Sequence, residues 1–210
     1  MGRSRSNDEL APEIAMELDS SGSLDRIALF GGTYDPVHHG HISIARAAKD
    51  ALNLDLVIFI PCRQSPHKDD PPIASQAQRL AMLDLALADE PWAESSDIEH
   101  LLPEPSFSWV TAEAMTELHP NAKLYWLMGA DQWSTIESWS RPSYLAEMVE
   151  FIVHDRNQPP SPITGFQAHH IEGHHPASAT KIREQNAIRM SDEWLHPDVV
   201  RYLQEEAIYS

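Results

Sequence analysis

Twelve residues, Phe30 to His41 (FGGTYDPVHHGH), hold two adjacent glycines, an Asp-Pro pair and three histidines directly after the apolar run Ile27-Ala28-Leu29-Phe30. Imidazole serves zinc sites, proton transfer and phosphate cradles, and each use demands its own neighbours. A structural zinc normally takes four ligands, and no cysteine pairs with these histidines. The dinucleotide fingerprint G-x-G-x-x-G cannot be read anywhere in residues 31 to 41. Plain helix capping is the ordinary alternative, but it does not call for three histidines beside a Gly-Gly turn. A phosphate cradle fits these residue types best. Gly31 and Gly32 let main chain approach an anion closely, and a helix beginning near Gly40 adds N–H donors and a favourable dipole. His38 and His41, flanking Gly40 as H-x-G-H, would aim ring N–H groups at the same place.

A second constellation stands far along the chain in PASATKIREQ, where Ser178 and Thr180 precede Ile182 and Arg183 at the start of an expected helix. Hydroxyls at a helix start suit phosphate oxygens, and the planar fork of Arg183 one turn on can bind them. Alone, Ser178 would read as an ordinary N-cap. Its weight comes from the first motif.

Short apolar runs alternating with longer amphipathic ones must position these groups, a rhythm that predicts strands and helices around a doubly wound, Rossmann-like parallel sheet. Residues 26–30 open it, and a helix from Gly40 to Leu52 follows, with Ile44, Ala45, Ala48 and Leu52 at helical spacing. Residues 56–61 (LVIFIP) form the second strand, and a Pro-rich loop leads to a helix capped by Ser75 and Gln78, with Leu80, Leu83 and Leu87 on its inner face. Residues 97–101 (DIEHL) are a weaker strand, 108–118 a helix, 122–129 (AKLYWLMG) a buried strand and 149–153 the next. QAHHIE reads as a last strand, and helices from about Ser178 and Pro197 close the chain. The histidines 169, 170, 174 and 175 read as a solvated loop rather than a metal cluster, because Gly173 and Pro176 break up the stretch.

With 210 residues and 42% hydrophobic ones, the chain fits one domain, residues 26–210, preceded by a polar, Ser-rich extension over 1–25. A net charge of −17 argues against a broad nucleic-acid surface, yet leaves room for one small anion in a local pocket. The single cysteine makes no internal disulfide, and no stretch has the apolar length of a signal peptide core or a membrane span, so the cytoplasm is the expected compartment. A homo-oligomer is compatible with all of this.

Together the two motifs resemble the H-x-G-H nucleotidyltransferase superfamily, and within it the bacterial nicotinate mononucleotide adenylyltransferases. The likeness spans residues 26–210 and rests on five motifs in order: G-G-T-Y-D-P-V-H-H-G-H (31–41), P-H-K (66–68), S-F-S (106–108), G-A-D (129–131) and S-A-T-K-I-R (178–183). Ser65 stands where that family usually has proline, Ala177 where it has isoleucine, and Arg156-Asn157 replaces Arg-Pro-Gly. The resemblance implies transfer of AMP from ATP to nicotinate mononucleotide, with His38, His41 and Arg183 as catalytic groups. It implies ATP contacts from Gly31, Gly32, Thr33, His38, Gly40, His41, Gly129, Asp131, Ser178, Thr180 and Arg183. Lys68, Ser106, Phe107, Ser108 and Trp139 would meet the acceptor, Trp139 by stacking on the nicotinate ring. Mg²⁺ would ride mainly on the ATP phosphates, with no dedicated protein metal site. Phosphopantetheine adenylyltransferase is the nearest rival, but P-H-K and S-F-S fit it poorly. A non-catalytic nucleotide-binding protein on the same fold is the rival of another class.

Overall fold

The central strands are runs of apolar residues because a parallel sheet covered on both faces has no solvent side. In the computed structural model, which describes residues 24–66, 70–155, 159–173, 175–184 and 191–209, six strands form one all-parallel sheet. They are β1 (Arg26–Gly32), β2 (Leu56–Pro61), β3 (Ala93–Ser95), β4 (Lys123–Gly129), β5 (Val149–Asp155) and β6 (Ala168–Glu172), in the order β3-β2-β1-β4-β5-β6. This is the expected doubly wound sheet. The extension foreseen over 1–25 falls almost wholly outside the described residues.

Alternation along each strand builds two cores. Ala28, Phe30, Val57, Phe59, Tyr125, Leu127 and Ile152 face one side, where they pack with α1 (His39–Leu52), α2 (Gln76–Leu87) and the later helix α8 (Pro197–Glu205). Ile27, Leu29, Ile58, Ile60, Trp126, Met128 and Phe151 face the other, under α3 (Ser108–Leu118) and α5 (Pro142–Met148). The described residues also include the shorter helices α4 (Ala130–Trp133), α6 (Ala179–Glu184) and α7 (Ser191–Trp194).

Three expectations need correction. Residues 97–101 are not a strand: Ile98–His100 form a single 3₁₀ turn, and the third strand is the short edge piece Ala93–Ser95 paired with Val57–Phe59. The binary pattern misled there, because Glu99 is buried and bonded to the Thr111 hydroxyl while Leu101 is 75% exposed. Second, the inner face of α2 runs through Arg79, Met82, Leu83, Ala86 and Leu87, with Leu80 only half-buried. Third, the solvated loop read over the histidines does not hold for His169 and His170, which lie in β6, the last strand expected from QAHHIE, with His169 Nε2 2.7 Å from the Glu150 carboxylate.

The sheet order reverses between β1 and β4. In an open parallel sheet the loops leaving the two sides of such a switch point part from each other, and a crevice opens beyond the carboxyl ends of the strands.

Candidate active site

The loop that follows β1 and the first turn of α1 carry Thr33, Tyr34, Asp35 and His41 towards the carboxyl ends of the strands. A Cβ on Gly32 would come within 2.8 Å of the Tyr34 ring, a contact that only glycine avoids, and one on Gly31 would sit tightly at 3.2 Å from Trp126. Tyr34 turns inward at φ +51, buries its ring and donates its hydroxyl to the Phe30 carbonyl at 2.5 Å. The chain then enters α1 with His38 as N-cap.

His38 and His41 stack face to face, ring centroids 3.7 Å apart. The His38 main-chain N–H donates to His41 Nδ1 at 3.2 Å. Because an N–H can only donate, Nδ1 is the acceptor and the neutral ring of His41 carries its proton on Nε2. His38 is 9% exposed, and burial, followed by the neighbouring His175 and His39, lowers its pKa to about 4. Its Nδ1 is buried with no protein partner. Gly40 is glycine because a Cβ there would lie 2.9 Å from His38 Nδ1. His175 Nδ1, on the loop before α6, is 3.5 Å from the same point.

Asp35 is the structural hub of the loop between β1 and α1. It is 4% exposed; Oδ2 accepts from the Ile73 N–H at 2.9 Å, and Oδ1 from the Ala74 N–H at 3.0 Å and the Tyr209 hydroxyl at 2.5 Å. Its main-chain carbonyl accepts from Arg183 Nη1 at 2.5 Å, which ties α6 to the histidine loop across 148 residues. Arg79, only 1% exposed, donates to the Thr33 carbonyl at 2.7 Å. Burial depresses the Arg79 pKa, opposed by the charges of Cys62 and Asp35. Burial and the bond to Asp35 push the Tyr209 phenol far up, so it stays a donor.

These elements enclose a cleft of about 1010 Å³. Thr33, His41, Thr180 and Arg183 line it together with Cys62–Ser65 and Asp70–Ile73 from the loop after β2. Of the expected site residues, the structure therefore gathers the histidine loop and the S-x-T helix in one place. Ser106 acts one step removed: its hydroxyl accepts from the N–H groups of Arg63 and Gln64 at 3.1 and 3.2 Å, fixing that wall. Phe107 and Ser108 sit at the start of α3, and Ser178 just before α6, where its carbonyl accepts from Ile182. Gly129 ends β4 with open space where a Cβ would be, and Asp131 is exposed in α4; neither lines this cleft. Trp139 is half-buried against the second core, also outside it. Lys68 lies outside the described residues.

Sequence reasoning passed over Asp35, Arg79 and Tyr209. Asp35 had a signal, an Asp-Pro inside the histidine motif; Arg79 and Tyr209 had none, being single residues whose partners are distant in sequence.

An open parallel sheet whose first loop and helix α6 share one cleft beyond the strand ends has the layout in which doubly wound folds bind ligands. The sequence model of the cytidylyltransferase-like family matches residues 29–185, from β1 through α6, and the chain belongs to that family. Among curated relatives it is 34% identical to a protein of Methylacidiphilum infernorum, over 88% of this chain and 92% of that one. It is 31% identical to one of Neisseria meningitidis, over 89% and 99%. Both are described as probable nicotinate-nucleotide adenylyltransferases, and within the wider family this chain belongs with them. The fold is also that of the Plasmodium falciparum nicotinic acid mononucleotide adenylyltransferase solved with APC, at a TM-score of 0.69 and 18% identity, covering 88% of this chain and 97% of that one. No helix among the described residues is long and apolar enough to cross a membrane.

Proposed function

We propose that the protein transfers AMP from ATP to nicotinate mononucleotide, releasing pyrophosphate and forming nicotinate adenine dinucleotide for NAD biosynthesis in the cytoplasm. The observation that carries this reading is that His41 and Arg183, far apart in the chain, line one cleft with the loops that follow β1 and β2. A phosphate oxygen of the mononucleotide attacks the α-phosphorus of ATP, and the bond from that phosphorus to the β-phosphate bridging oxygen breaks. The attacking phosphate is already a nucleophile, so no catalytic serine or cysteine is needed. The protein must align two anions that repel each other and absorb charge developing at the α-phosphate.

The residues present suit that task. His41 offers a neutral Nε2–H donor whose orientation is preset by the His38 main chain. Arg183 keeps one side of its guanidinium on Asp35 and has Nη2 3.5 Å from the Thr180 hydroxyl, leaving a cationic group at the cleft wall for phosphate oxygens. His38, Gly40, Thr33 and Ser178 complete the ATP cradle in this reading, with Gly31 and Gly32 letting the chain come close. Gly129 and Asp131, at the end of β4 on the other side of the switch, would hold the adenosine. Lys68 would meet the acceptor phosphate, with Ser106, Phe107, Ser108 and Trp139 shaping the nicotinate side. Mg²⁺ would be carried mainly by the ATP phosphates in this reading. The Mg²⁺ would neutralise phosphate charge.

The test is direct. Incubated with ATP, Mg²⁺ and one acceptor at a time, the protein should release pyrophosphate with nicotinate mononucleotide and little with phosphopantetheine. The reverse preference would overturn the assignment.

A further inference from the structure

We infer that Tyr209 is a positioning residue for the acceptor-side wall of the cleft, acting through the buried carboxylate of Asp35. The inference rests on the acceptor assignment above.

Tyr209 lines no part of the cleft, yet its hydroxyl ends 2.5 Å from Asp35 Oδ1. The same carboxylate accepts the Ile73 and Ala74 N–H groups, and Ile73 with its neighbours Asp70 to Pro72 forms one wall of the cleft. The wall thus has its main-chain donors anchored on a carboxylate whose remaining local donor is Tyr209. A buried carboxylate that loses one charge-assisted bond is left short of donors, and its other bonds loosen or rearrange. Arg183 is tied to the main-chain carbonyl of Asp35 instead, so the phosphate side does not depend on Tyr209 in the same way.

The backbone around Tyr209 shows that its position is held rather than incidental. After α8 the chain passes through Ala207 at φ +50 and Tyr209 at φ +63, the left-handed region that side-chain-bearing residues rarely adopt. Two such residues in three positions persist only where surrounding contacts over-determine them. Here those contacts are the Ile208 N–H to the Leu203 carbonyl at 3.0 Å, packing of Ile208 and Tyr209 on the first core, and the Tyr209–Asp35 bond.

Tyr209→Phe keeps the ring and removes only the hydroxyl. It should raise KM for nicotinate mononucleotide about ten-fold, with kcat and KM for ATP within about two-fold, as fits one lost bond to a charged group. Amide hydrogen exchange of Ile73 and Ala74 should quicken about ten-fold while amides inside α2 keep their protection. The exchange readout needs no turnover, so it tests the link even if the acceptor proves to be another molecule. Unchanged exchange at Ile73 and Ala74 would overturn the inference. So would a uniform fall in thermal stability with both KM values and kcat shifted together, the mark of a purely structural tyrosine.

Discussion

The imidazoles of His38 and His41 lie 3.7 Å apart, centroid to centroid, with their planes 19° from parallel. Two rings in such contact do not both carry a proton's charge at modest cost, and burial already keeps His38 neutral at physiological pH. His38 is thus the neutral member, and its main-chain N–H, bonded to His41 Nδ1, directs the His41 proton to Nε2.

His41→Ala removes the preset donor and leaves the helix otherwise intact. It should lower kcat by roughly 10²-fold, the usual effect of losing one preorganised donor to developing charge. Steady-state rates beside a thermal melt check this; a folded variant with near-normal kcat would reduce the histidines to helix capping.

His38 makes a pH prediction with a definite sign. Its pKa is near 4 in the folded protein and near 6.5 in the unfolded chain, so between those values the unfolded state binds the extra proton. Stability is complete above about pH 6.5 and falls as pH drops towards 4, by up to about 3 kcal/mol from this group. His38→Gln should flatten that part of the curve in urea titrations run from pH 7 to pH 4. A slope identical to wild type would assign the loss to other groups.

Arg79 places a guanidinium in the core, where it holds the Thr33 carbonyl beside the Asp35 charge. Arg79→Met strands both partners and should cost about 3 kcal/mol or more in denaturant unfolding. Arg79→Lys should recover only part, since an ammonium lacks the planar fork. Wild-type stability in Arg79→Met would mean that Asp35 is satisfied by its three hydrogen bonds alone.

Trp139 tests the nicotinate side of the proposal. Trp139→Ala should raise KM for the mononucleotide several-fold and leave ATP alone, with Trp139→Phe intermediate, because ring stacking adds about 0.5–1.5 kcal/mol beyond burial. Since Trp139 also packs on the second core, calorimetric stability must be read alongside. A variant that weakens ATP as much as the mononucleotide would show the two halves of the site interchanged.

What could be read from the chain followed the range of the interactions involved. Strands β1, β2 and β4 announce themselves as apolar runs because both faces of the sheet are covered. Strand β3 does not, being three half-exposed residues at an edge. Helices α4, α5 and α7, of four to seven residues, are too short for a periodic stripe to emerge. On α2 the eye passes over Arg79 as a surface charge, although it stands at the centre of the buried face. The H-x-G-H and S-x-T segments were visible because each carries its chemistry within a few neighbouring residues. Tyr209 is different in kind: its meaning lies wholly in Asp35, 174 residues away.

That separation orders events during synthesis. As the chain leaves the ribosome, β1 and β2 can pair early, but β1 lacks its second neighbour until β4 has emerged some 90 residues later. Asp35 waits longer still, since Tyr209 follows it by 174 residues. A sheet can therefore exist before the cleft is finished, with its architecture in place while the acceptor wall still lacks the Tyr209 anchor.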